Sequence, residues 1–131
     1  MKGGQVGLVA VVLAHLALSL VHGLAHSGAQ VALDLGGTLF VYLVILLGPL
    51  AGLAVSRWRP RAGGWIVALT MSGSLVFGVI NHFIIQGADH VTHVAPAWRT
   101  LFASTAALLA AVEAAGVAIG LSYAVRVRRA S

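Results

Sequence analysis

The residues with chemical potential in this 131-residue chain are six histidines and three acids, set in a sequence that is 60% hydrophobic. On a helix advancing about 100° per residue, His22 and His26 each fall within about 20° of His15, and Ser19 lies about 40° away. These four residues therefore form one polar stripe. His22 and His26 also have the i, i+4 spacing that lets two imidazoles from one helix face bind a single ion. Further along, His82 follows Asn81, and Asp89-His90 with His93 adds a second compact donor set. Imidazole and carboxylate without thiolate suit Zn, Cu, Fe or Ni, and the affinity order alone does not choose among them. The chain has no Cys, which excludes disulfides, iron–sulfur clusters, thiolate copper sites and thiol catalysis.

Two other constellations compete for attention. A b-type haem needs two facing histidines at one level, and His22 with His82 supplies them, with Gly23 and Gly78 leaving room beside a porphyrin. Separately, Glu113 is the one acid inside an apolar run, and His15 is placed to partner it. An unpaired charge in that setting is costly, so the pair is either a proton relay or a hydrogen-bonded link holding two helices in register. Tyr42, Thr70, Ser72 and Ser74 are further candidates for that network.

Something must bring these residues together, and the composition says what. Only 8% of the residues are charged, against about 25% in an average soluble domain, and the mean hydropathy is +0.99. Four apolar runs, at 6–27, 35–55, 65–85 and 100–125, are each of the length that crosses a bilayer as a helix. The expectation is an all-α integral membrane protein, a single four-helix transmembrane bundle over residues 1–131. A count from the far end of each run puts His22 about 16 and His82 about 17 residues up their helices, hence level at about 1.5 Å per residue. His26 stands one turn above His22, beside the connection holding Asp89, His90 and His93. His15 and Glu113 lie near mid-span.

Lys2, Arg57, Arg59, Arg61, Arg126, Arg128 and Arg129 fall at the N-terminus, the second connection and the C-terminus. Cations collect on the cytoplasmic side of membrane proteins, which predicts both termini in the cytoplasm and an inner, bacterial-type membrane. The +5 charge is then a topology signal that touches anionic lipid, and no nucleic-acid partner is expected. Lys2, the apolar run after it and Ser27-Gly28-Ala29 also fit a signal peptide cleaved before Gln30, although two histidines inside the run argue against that. Gly48/Gly52 and Gly116/Gly120 have the spacing that lets helices approach closely, either within the bundle or in a homo-oligomer or membrane complex. Pro49 removes a backbone donor inside the second helix and is expected to kink it, and Asp34 before Gly36-Gly37 reads as a turn and helix start.

No hydrolase, zinc-protease or nucleotide-binding motif is present, so no catalytic residue is assigned. The leading expectation is a membrane protein whose His22, His26, His82, Asp89, His90 and His93 form an outward-facing transition-metal site, for acquisition, delivery or as a redox partner. The alternatives are a haem b electron-transfer subunit and a non-catalytic assembly subunit.

Overall fold

The computed structural model describes residues 3–128; Lys2 and Arg129 lie outside the described residues, as does the side chain of Arg128. Four helices account for the architecture: α1 (Gly3–Gly28), α2 (Leu35–Val55), α3 (Pro60–Ile84) and α4 (Pro96–Arg128), with no strand among the described residues. Each is long and apolar enough to cross a membrane.

Both α3 and α4 begin four or five residues before the apolar runs at 65 and 100 that announce them. The reason is proline. Pro60 and Pro96 open their helices, where a missing N–H costs nothing and the fixed φ suits the first turn. Gly63-Gly64 therefore belongs to α3 and not to the connection before it, and these glycines are contact points. A Cβ on Gly63 would come 2.5 Å from the Ser56 backbone, and one on Gly64 would come 2.8 Å from the Gly120 carbonyl.

The start of α2 follows the expected turn. Asp34 takes an extended conformation and its carboxylate accepts a 2.6 Å hydrogen bond from the Gly37 N–H, one of the donors a helix start leaves over. Ahead of Pro49, where the sequence leads one to expect a kink, the helix widens into a π-helical stretch over Val41–Leu47. A proline ring presses on the carbonyl one α-turn earlier, and a wider turn just before it relieves that pressure.

The two ends of the bundle are packed differently. At the arginine end, which carries the second connection, small residues let backbones meet. Gly120 faces the Gly64 carbonyl and Ala68, Gly116 seats the Met71 side chain, and Gly52 faces Val67 and the Gly63 carbonyl. Both small-residue pairs are thus engaged inside the chain, and α3 is the element they pack on. Leu8, Val11, Val12, Val67 and Met71 complete a sealed core beside them. At the opposite end α4 remains packed between α1 and α3, but the first half of α2 contacts α3 and stands off from α1. A cavity of about 490 Å³ fills the resulting gap.

Candidate metal centre

The histidine end is closed by the connection between α3 and α4. The Val91 N–H donates to the His82 carbonyl (3.0 Å), and Arg99 donates to the carbonyls of Val94 and Thr92. Val94 is buried with Ala25 and Phe102. This folds the connection back over the helix ends and places Asp89 above the histidines.

One ring nitrogen from each of His22, His26 and His82 lies within 4.8 Å of the others, a grouping that can hold a metal ion. Two of the three come from successive turns of α1, and His82 comes from the π-helical last turn of α3, Ile80–Ile84. Single π turns are frequent at functional sites because they re-aim the side chains they carry. Phe102 of α4 is fully buried and packs against all three imidazoles, with ring centroids 4.8, 4.8 and 5.1 Å away.

The hydrogen bonds around the rings decide where their protons sit. Thr105 has one hydroxyl proton, which it donates to the Leu101 carbonyl at 2.6 Å, so towards His22 Nδ1, 2.8 Å away, it can only accept. His22 therefore carries its proton on Nδ1. His82 Nδ1 donates to the Asp89 carbonyl (3.1 Å), and His26 Nδ1 donates to the Val31 carbonyl (3.3 Å). In His22 and His82 Nε2 therefore keeps its lone pair, as in metal-binding histidines whose other nitrogen is anchored outside the site.

Those lone pairs confront one another. His22 Nε2 and His82 Nε2 are 3.2 Å apart with no proton left to share. Acceptors facing acceptors repel unless a cation lies between them. Two nitrogens bound to one tetrahedral ion at about 2.05 Å would sit roughly 3.3 Å apart, which is the His22–His82 separation. Asp89 lies against two imidazoles, with Oδ1 3.3 Å from His26 Nε2 and Oδ2 3.3 Å from the proton-bearing His82 Nδ1.

The six residues singled out in the sequence divide here. His22, His26, His82 and Asp89 converge. His90 and His93 do not join them: the His90 ring is engaged by Thr92 (2.7 Å) and Gln86 (3.1 Å), and His93 Nδ1 donates to the Gly87 carbonyl (2.7 Å). The sequence does not single out Thr105 and Phe102, because neither is a ligand type and only the packing of α4 shows their role. For haem, His22 and His82 are level as the count expects, but they meet nitrogen to nitrogen with Phe102 against both rings, which leaves no room for a planar macrocycle between them.

Deeper in the bundle, His15 and Glu113 meet. His15 Nε2 donates to Glu113 Oε1 at 3.2 Å, and the Ser74 hydroxyl donates to the same oxygen. All three residues are buried. Thr70 and Ser72 instead bond the carbonyls of their own helix.

No protein-family model, curated protein or solved structure matches the chain. What the fold and site define is a class: an all-helical chain with four membrane-length helices and a histidine group able to hold a metal ion.

The tautomer argument makes Thr105 testable. Thr105→Val keeps the shape but removes the acceptor that holds the proton on His22 Nδ1. Metal affinity should fall by about 10- to 100-fold, the usual loss for a partner that orients a ligand. Titration of the purified variant checks this, and parental affinity would show that Thr105 does not set the tautomer.

Proposed function

We propose that the protein binds a transition-metal ion from the outer face of a cell membrane, through His22, His26 and His82 with Asp89 as the oxygen donor. It would then serve metal acquisition, delivery or a redox partner. The observation that carries this reading is the convergence of three imidazoles within reach of one ion, with the His22 and His82 Nε2 lone pairs 3.2 Å apart and both of those rings anchored through Nδ1 from outside the group. A cluster of histidines that merely satisfied one another would place a proton between His22 and His82, and here both ring protons are engaged elsewhere. Three nitrogens and an oxygen suit Zn(II), Cu(II), Ni(II) or iron.

The ion would tie α1, α3 and their covering connection together, so binding is coupled to folding. The expected result is a rise in the melting temperature of detergent-purified protein on adding one of these ions. The rise should be large near pH 8 and shrink towards about pH 5, because protons compete with the ion for the imidazole lone pairs. Absence of any shift with all four metals, and of binding tighter than tens of micromolar, would leave a structural polar cluster. A Soret band in the purified protein would instead favour haem.

The distribution of arginines supports an outward site. Arg57, Arg59, Arg61 and Arg126 lie at the end opposite the histidines, and the positive-inside rule places that end in the cytoplasm. Reporters fused after Arg61 and after Ser131 should read cytoplasmic, and one after Ala88 external. The reverse pattern would turn the metal site inward and exclude capture from outside.

A further inference from the structure

The metal site occupies only the roof of the 490 Å³ cavity, whose lower wall includes Ser74 and Glu113 and whose sides are largely apolar, with Phe77, Ile45 and Leu109 among them. A space of this size, mostly apolar with a few polar groups at defined points, has the character of a small-molecule site. It lies in the gap between α1 and the first half of α2. The residues at its edge are exposed, Leu24 by 67% and Tyr42 by 59%, so in a bilayer the gap opens sideways into lipid.

Two glycines show that the space is kept open. Gly23 of α1 and Gly78 of α3 both line the cavity. A Cβ on Gly23 would meet nothing within 4 Å, and one on Gly78 would meet only His82 at 3.9 Å. Neither has a positive φ. Packing does not require them and glycine weakens a helix by roughly 1 kcal/mol relative to alanine, so what they provide is a flat, unobstructed wall. This sets them apart from the glycines at the arginine end, where a Cβ would strike backbone.

The floor offers hydrogen bonding that the rest of the fold does not use. His15 and Ser74 both donate to Glu113 Oε1, which leaves Oε2 without a partner among the described residues. Ser19, one turn above His15, has a buried hydroxyl with no partner. From the level of His15 to that of His22 is about 10 Å along α1, roughly what a single six-membered ring spans with an oxygen at either end and a hydrogen bond at each.

We infer that this cavity is a binding site for a membrane-soluble quinone-class headgroup, entering from lipid between α1 and α2. Its ring lies against Gly23 and Gly78; in the reduced, quinol form one hydroxyl donates to Glu113 Oε2 while its oxygen accepts from Ser19, and the other hydroxyl donates to an imidazole lone pair at the roof. The tail leaves through the lateral gap. The site does not need a metal ion at the roof, so it stands apart from the function proposed above.

The test is saturable binding of a decyl-substituted benzoquinol, kept reduced under anaerobic conditions, to the purified full-length protein in lipid nanodiscs, with and without metal. One molecule per chain is expected. Gly23→Leu and Gly78→Leu should each weaken binding by roughly tenfold or more by filling the space, and Glu113→Gln should weaken it several-fold while melting within a few degrees of the parent. If the parent shows only non-saturable partitioning, or if both leucine variants bind like the parent, the inference is overturned. A porphyrin retained in the cavity would overturn it as well. Quinol binding without metal binding would remove the metal proposal alone, and the converse would remove only this one.

Discussion

Replacing His22 by alanine should lower metal affinity more than any other single change, by well over the roughly 100-fold typical of losing a partner outside the ligand set. His22 supplies a ligand nitrogen 3.2 Å from that of His82, and its ring packs on both His26 and His82 at centroid distances of 4.8 and 4.9 Å. Removing it takes away a donor and also loosens the two that remain. His82→Ala should approach the same loss, since His82 is the only one of the three from α3 and is the residue that Asp89 touches through both its carbonyl and its carboxylate. His15→Ala is the internal control. It breaks the link to Glu113 but lies about 10 Å along α1 from His22, so it should leave affinity within a few-fold of the parent. His90→Ala and His93→Ala should also be mild, because their rings are engaged within their own connection. Calorimetric titration of the five variants checks the order. Equal losses at His15 and His22 would mean that affinity reports general stability and not a site.

That order is sharper than the sequence alone allows, and the reason lies in particular residues. The helical stripe of His15, Ser19, His22 and His26 is legible because α-helical geometry is periodic, and the level of His82 follows from counting rise per residue. The stretch Asp89-His90-Val91-Thr92-His93 has no such period. Which of its side chains points to the helices is decided by local bonds, with Val91 N–H tied to His82 and the two imidazoles turned towards Thr92 and Gly87. Thr105 and Phe102 are ordinary residues of an apolar helix until α4 is seen to lie between α1 and α3. The four-helix architecture is readable from hydropathy, whereas a run starting at 65 leaves Gly63-Gly64 outside the third helix, because a close backbone approach and a flexible turn call for the same residue.

The glycines supply the second large effect, with opposite signs for the same added atom. Gly64→Ala would put a Cβ 2.8 Å from the Gly120 carbonyl and 3.0 Å from Ala124, and Gly120→Ala would put one 2.8 Å from the Gly64 carbonyl and 2.9 Å from the Ala68 nitrogen. Backbone on a neighbouring helix cannot swing aside as a flexible side chain does, so α3 and α4 must separate along their contact. Each variant should lose about 2–3 kcal/mol or fail to fold, the upper part of the range for overpacking. Gly23→Ala and Gly78→Ala add the same methyl where the nearest atom is at least 3.9 Å away. There the gain in helix propensity, up to about 1 kcal/mol, is not opposed by a clash, and these variants should melt at or slightly above the parent. Thermal unfolding of the four proteins in one detergent makes the comparison. If Gly64→Ala melts like Gly23→Ala, the tight seam at the arginine end does not hold the bundle together. If Gly23→Ala and Gly78→Ala are as damaging as Gly64→Ala, the cavity is not open space but a region that needs its glycines for packing.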